Sequence, residues 1–304
     1  MCPILYTVFG LAVVIGEPVA TMSVVVMRAP QAERAERFRA LHARPGAFVI
    51  PNPWDAGTAR ILASLGFEAL TTTSAGLAFT LGRRDGAGAV TRDEALANAK
   101  AIVEATDLPV AADLENGYGP SPEAAAETIR LAGEEAGLVG GSIEDATGDP
   151  RQPIYDFQHA VERVAAAAEA ARALAFPFVL VGRAENFLHG RPDLDDTIRR
   201  LQAFEAVGAD ALFAPGLIRP EHIRTVCAAV SKPVNVVMGL RGASFSVTEL
   251  AGLGVRRISV GSALTRAALG ALVRAAREIR EHGTFAFAEE AIPYSEANDL
   301  MGRP

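Results

Sequence analysis

Pro109-Val110-Ala111-Ala112-Asp113-Leu114-Glu115-Asn116-Gly117-Tyr118-Gly119 sets a short apolar run directly against two acids and an Asn-Gly turn. A run bounded by proline on one side and Asn-Gly on the other reads as a buried strand that ends abruptly. Side chains alternate along a strand, so Asp113 and Glu115 are expected on one side of it, at its C-terminal end. Two carboxylates side by side raise each other's pKa unless a cation relieves them. A hard divalent ion such as Mg2+, which takes oxygen ligands and keeps several waters, is the natural relief.

Outward from this stretch the same unit recurs. Phe48–Ile50, Ala69–Thr73, Leu138–Ile143, Phe178–Val181, Ala211–Phe213, Val234–Val237 and Arg257–Val260 are apolar runs of strand length. Helical patterns separate them: Ala56–Leu65, Arg92–Ala105, Pro122–Glu135, Phe157–Leu174, Leu194–Val207, Glu221–Val230, Val247–Leu253 and Ser262–Glu281. A further helix, Ala32–His42, precedes the first strand and stops at Arg44-Pro45-Gly46. Eight strand–helix units at crossover spacing predict an α/β fold, a (β/α)8 TIM barrel. An open doubly wound sheet would want a glycine fingerprint after the first strand, where Pro51-Asn52-Pro53 stands instead.

The chain has 304 residues, half of them hydrophobic, and a net charge of -7. Its basic residues form no run that could follow a phosphate backbone, so nucleic acid is not an expected partner. Two cysteines, Cys2 and Cys227, are too few for a disulfide framework and fit a reducing, cytoplasmic setting. Residues 1–28 form an apolar extension with no basic n-region and no unbroken span, so neither a secretory signal nor a membrane segment is expected. A misplaced start, with Met22 or Met27 as the true beginning, accounts for it better. Residues 29–283 are then the barrel and 284–304 a C-terminal helical arm.

In such a barrel the C-terminal strand ends form one mouth, and catalytic groups come from several of them. Those ends carry Trp54-Asp55, Thr73-Ser74, Asp113 and Glu115, Glu144, Arg183, Pro215, Asn235 and Gly261, with Asp85 in the loop after the second strand. Metal held by Asp113, Glu115, Asp85 and Glu144, largely through waters, would grip a 2-oxo acid and stabilise its enolate. Arg183 offers a planar fork to a substrate carboxylate, and Thr73-Ser74-Ala75-Gly76 offers backbone N–H groups to an oxygen gaining charge.

The runs T-T-T-S-A-G-L-A-F-T-L-G-R-R-D (71–85), A-D-L-E-N-G-Y-G (112–119), G-S-I-E-D (141–145) and V-G-R-A-E (181–185), in this order, resemble the isocitrate lyase / phosphoenolpyruvate mutase superfamily. The similarity extends from about Phe48 to the C-terminus and includes A-I-P-Y-S-E-A-N (291–298). The resemblance implies Mg2+ (with Mn2+ as a substitute) and an enolate from a small 2-oxo or 2-hydroxy acid. It also implies a homotetramer that swaps its last barrel helix between neighbours. Carried over by position, Asp85, Asp113, Glu115 and Glu144 serve the metal and Arg183 the substrate. Asp85, Glu144 and Arg183 are the expected catalytic groups, and Trp54, Thr73, Ser74, Ala75 and Asn235 join Arg183 around the substrate.

The departures narrow the chemistry. The family's usual D-x-D is Asp113-Leu114-Glu115 here. The K-[KR]-C-G-H loop of isocitrate- and methylisocitrate-cleaving members is replaced by Ala146–Asp156, A-T-G-D-P-R-Q-P-I-Y-D, which has no cysteine, lysine or histidine. It also lacks the asparagine of the phosphonomutases. The expectation is therefore an oxaloacetate decarboxylase-like carbon–carbon lyase, with that loop as a lid and Arg151 reaching a second substrate carboxylate. Phosphonopyruvate hydrolase or phosphonomutase chemistry, and a non-catalytic 2-oxo acid binding barrel, are the alternatives. Past the last long helix, His282-Gly283 reads as a hinge before Thr284-Phe285-Ala286-Phe287, whose aromatics would stand exposed on a lone barrel.

Overall fold

The computed structural model describes residues 6–8, 11–13, 24–26, 29–242 and 244–302. Most of the 1–28 extension, including Met22 and Met27, lies outside the described residues. Within it, Tyr6–Val8 (β1), Leu11–Val13 (β2) and Val24–Val26 (β3) form a small antiparallel sheet.

Eight parallel strands follow: Phe48–Ile50 (β4), Leu70–Thr71 (β5), Val110–Asp113 (β6), Gly140–Glu144 (β7), Val179–Arg183 (β8), Ala211–Phe213 (β9), Val234–Val237 (β10) and Arg257–Ser259 (β11). Their order, β4-β11-β10-β9-β8-β7-β6-β5, is that of a barrel, and no strand is inserted out of sequence as an open doubly wound sheet would require. The last gap, between β4 and β5, is bridged by Thr71 N donating to Pro51 O at 3.1 Å and by the Asn52 amide donating to Thr72 O at 2.8 Å.

Around the barrel run Gln31–Ala43 (α1), Ala56–Ser64 (α2), Ser74–Thr80 (α3), Arg92–Ala105 (α4), Pro122–Glu134 (α5), Phe157–Ala173 (α6), Leu194–Ala206 (α7), Pro220–Ala229 (α8), Val247–Gly252 (α9), Ala263–His282 (α10) and Tyr294–Leu300 (α11). Several start where the sequence supplies a cap. Asp55 and Thr58 close a capping box on α2, Thr91 and Glu94 on α4, and Ser246 and Glu249 on α9. Asp55, read from the sequence as a strand-end residue of the mouth, is thus spent on starting a helix.

The barrel floor is sealed by α1. Its Phe38 is fully buried and packs with Phe48, Ile50, Ala69, Ala111, Val139 and Val179, which lie in or just before the strands. The plug fits because Gly140 has no side chain, since a Cβ there would lie 2.7 Å from the Phe38 ring. Truncating a buried phenylalanine of this kind costs about 3–5 kcal/mol. The sealed floor leaves the C-terminal end as the open mouth.

Two local readings are corrected. The polar loop expected after the second strand begins with a helix, α3, because Thr73 leaves the ladder and caps it, accepting from Gly76 N at 3.3 Å. The third strand stops at Asp113, so simple alternation does not carry through to Glu115. Leu114 turns inward, Glu115 takes a left-handed backbone (φ 47), and Gly117 N closes the turn on Leu114 O at 2.8 Å. Gly117 itself has φ 78, and a Cβ there would meet Ala125 Cα at 2.9 Å.

The last long helix, α10, is mostly exposed. Of the 20 residues of α10 only Thr265 is buried, while Leu264, Leu269, Leu272, Val273 and Ile279 are exposed. Gly283 is not a loose joint: it caps α10 in the left-handed conformation, and Glu278 accepts from Thr284 Oγ1, Ala286 N and Phe287 N. Phe285 is exposed as expected, whereas Phe287 is half-buried. Among the described residues no helix is long and apolar enough to cross a membrane.

Candidate active site

A cavity of about 180 Å³ opens at the mouth and descends into the barrel, with Ser74, Asp113 and Arg183 near its top. A wider one of about 1030 Å³ adjoins it and is lined by Asp85, Glu115, Tyr118, Glu144 and His189. Arg183, Ser74 and Asp85 border both and mark where the two meet.

The guanidinium of Arg183, at the end of β8, gathers three carboxylates. Its Nη1 lies 3.1 Å from Glu144 Oε2 and 3.3 Å from Asp113 Oδ1, and its Nε donates to Glu185. Register explains part of this, since Arg183 and Glu144 are paired positions on β8 and β7. Burial works against its charge, yet Glu144, Glu185 and Asp113 hold the guanidinium above its ordinary pKa. The face of the Phe213 ring lies 5.2 Å from its Cζ.

Asp113 is held on both oxygens. Oδ2 accepts from Ser74 Oγ at 2.9 Å and Ser74 N at 3.3 Å, and Oδ1 accepts from Glu115 N at 3.3 Å. The start of α3 therefore serves the carboxylate first. Glu115 is pushed up to about 7, by burial and then by the charges of Asp113 and Asp85. Asp85 is raised by partial burial and by Asp113. Glu144 is raised well above the carboxylate range by burial, with Glu185, Asp113 and Glu115 adding to the effect against Arg183. Burial and the same four acids keep the Tyr118 phenol protonated.

Of the four carboxylates expected to serve a metal, Asp113 and Glu144 contact this guanidinium, and Asp85 and Glu115 lie near enough to feel its charge. Among the described residues no three His, Cys, Asp or Glu side chains converge closely enough to enclose an ion by themselves. The donor set still suits a hard cation that keeps waters: it is all oxygen, carries excess negative charge, and contains three acids held above their ordinary pKa.

Thr73, Ser74, Ala75 and Asn235 line the narrower cavity. Trp54 does not line it, because its backbone N–H donates to Thr58 Oγ1 within the cap of α2 and the segment belongs to that turn. Arg151 is likewise apart. Its side chain is 90% exposed and paired with Asp149, Nη2 to Oδ2 2.8 Å. The 146–156 loop is a closed hairpin: Ala146 bridges Ile154, and Thr147 N donates to Pro153 O at 3.0 Å. Its foot is pinned by Arg200, which bonds Tyr155 O at 3.0 Å and Asp145 Oδ2 at 2.9 Å.

Sequence reasoning missed several groups. Glu185, 2% exposed, is the carboxylate beneath Arg183, and the spacing R-A-E could have revealed it, since it repeats the i, i+2 relation of Asp113 and Glu115. Arg163, 1% exposed, bonds Gly119 O, Ser121 O and Asn116 O and so fixes the loop that carries Glu115 and Tyr118. Nothing local in the helix α6 announces that task.

The arrangement matches known proteins over most of its length. The phosphoenolpyruvate phosphomutase family model matches residues 38–280. A solved structure from Burkholderia cenocepacia J2315, described at the level of lyase or mutase, is 59% identical, covers 90% of this chain and 97% of its own, and superposes with a TM-score of 0.87. Oxaloacetate decarboxylase of Bradyrhizobium diazoefficiens is 30% identical over 82% of this chain and 85% of its own length. The 2,3-dimethylmalate lyase of Eubacterium barkeri is 27% identical over 88% and 94%. With the barrel, the acidic mouth and these matches in agreement, the chain belongs to the isocitrate lyase / phosphoenolpyruvate mutase superfamily and is an enzyme of its lyase and mutase group.

Proposed function

We propose that this enzyme is a Mg2+-dependent carbon–carbon lyase acting on a small 2-oxo or 2-hydroxy acid, with oxaloacetate decarboxylation as its simplest reaction. The observation that carries this reading is the Arg183 cluster: a guanidinium paired with Glu144, Asp113 and Glu185, with Asp85 and Glu115 near it, at a mouth whose described lining includes no thiol and no lysine. The one described cysteine, Cys227, lines a different cavity with His42 and Lys232, and burial raises its thiol to about 11. It cannot act as the acid-base group of an isocitrate lyase. The resemblance to oxaloacetate decarboxylases supports the choice of substrate.

In this reading Asp113, Glu115, Asp85 and Glu144 would hold Mg2+. When bound, the ion supplies Lewis-acid stabilisation of charge on the substrate's keto oxygen. Arg183 binds and orients the carboxylate next to the ketone, and Ser74 keeps Asp113 turned toward the site. Loss of CO2 leaves an electron pair that needs a proton at carbon. Solvent at the open mouth can deliver it, since burial and four carboxylates hold the proton on the Tyr118 phenol too tightly for ready transfer.

The assembly we propose is a homotetramer in which α10 of one barrel docks on a neighbour. Its row of exposed leucine, valine and isoleucine on a helix with one buried residue supports this. A Mg2+ titration with oxaloacetate, read as pyruvate by NMR against an Arg183→Leu blank, tests the chemistry. Turnover that persists in EDTA at the Mg2+ rate rejects it.

A further inference from the structure

The floor of the narrower cavity holds a guanidinium that the chemistry at the mouth does not use. Arg257 opens β11, is 5% exposed, and lines the same cavity as Arg183. Its Nε and Nη1 are buried without a hydrogen-bond partner. No carboxylate offsets the effect of burial, which lowers its pKa to about 10. The Phe38 ring, 5.8 Å from Cζ, covers a face of the group but accepts no N–H in the way an oxygen would. His42 brings no charge, because burial and then the positive charge of Arg257 push it down to about 3.

Beside it stands a second unsatisfied group. Asn235 is the register partner of Arg257 on β10 and is 2% exposed. Its Nδ2 donates to Ser259 Oγ at 3.0 Å, which leaves Oδ1 buried and unpartnered. Ser142 and Ser259 line the same space. Buried polar atoms are nearly always paired, and a buried charge is kept only where something compensates it. Orphan donors on a buried guanidinium beside an orphan acceptor suit a small oxyanion that accepts an N–H from Arg257, plus a protonated oxygen or a water for Asn235.

We propose that the lower cavity is an anion site built on Arg257, which takes a small planar oxyanion of the carboxylate class. The anion arrives free, or as the far carboxylate of a diacid bound from above. The free-anion source does not depend on the lyase reading, whereas the diacid source rests on it, because it needs the other carboxylate at Arg183.

Formate is the probe. Titrated into the metal-free protein, it raises Tm in a saturable way, as a ligand of the native state must. Arg257→Leu abolishes the response or weakens the apparent Kd by about tenfold or more, corresponding to roughly 1.4 kcal/mol or more. Arg183→Leu keeps it, with Arg183→Lys as the substitute if that variant does not fold. Arg257→Leu itself is expected to fold, because replacing an uncompensated buried charge with an apolar side chain is commonly tolerated. Repeating the titration in saturating malate separates the sources: a response that vanishes assigns the site to the diacid, and one that persists assigns it to free anion. No saturable response in the wild type, which would mean the cavity holds water only, overturns the proposal. So does a response lost in Arg183→Leu but kept in Arg257→Leu.

Discussion

Arg183 and Asp113, 70 residues apart in sequence, meet across the barrel mouth with Nη1 3.3 Å from Oδ1, and both side chains are less than one-fifth exposed. Asp113 is also fixed by Ser74, so this one contact ties the ends of β6 and β8 to the start of α3. Removing the cation leaves Glu144, Glu185 and Asp113 facing one another. Arg183→Leu is expected to lower stability by about 3 kcal/mol, as breaking a buried pair does. Turnover should fall at least as far in kcat as KM rises, because the fork also orients the substrate. Chemical denaturation and steady-state kinetics on the same preparation check both.

Glu115 sets a pH signature. Its pKa in the folded protein is raised to about 7 from an ordinary 4.5, so between those values the folded state binds more protons than the unfolded chain. This group's contribution is therefore fully present below about pH 4.5, falls as pH rises, and is gone above about 7. A cation that needs the carboxylate ionised reverses the trend. The rise in Tm given by Mg2+ is expected to grow from pH 5 to pH 7.5, and a pH-independent rise would count against metal at Glu115.

Much of this was legible in the sequence. Phe48–Ile50, Ala211–Phe213, Val234–Val237 and Arg92–Ala105 match the structure to the residue, because each is an uninterrupted pattern bounded by strong breakers or caps. That Asp113, Arg183 and Glu144 meet at the mouth could be read because they end such runs. What escaped was set by turns and by contacts between distant segments. The left-handed Glu115 breaks the alternation, and Gly76 hides the short helix α3. Arg163 and Arg257 find their roles only through segments far from them in sequence.

Arg151 is expected to matter little. A 90% exposed side chain paired with a neighbour in its own loop contributes little to stability and stands off the cavities. Arg151→Ala should leave kcat and KM within about twofold of wild type. A selective rise in KM would show that the hairpin swings and brings the residue onto substrate.

Exposed apolar residues on α10 lead to a prediction about assembly. Light scattering at micromolar concentration should give a tetramer, and Leu272→Glu, at a position 63% exposed in the single chain, should dissociate it without unfolding the barrel. A monomeric wild type would reject the docked helix.

A mouth with acids placed to hold a metal and the Arg183 guanidinium, but no cysteine loop, is expected to break bonds whose electrons the substrate itself can accept. A direct comparison of oxaloacetate and 2-methylisocitrate with Mg2+, followed by NMR on one enzyme sample, tests it most directly. Pyruvate and CO2 are expected from oxaloacetate above the Arg183→Leu blank, with 2-methylisocitrate unchanged. Rapid cleavage of 2-methylisocitrate to pyruvate and succinate would contradict it.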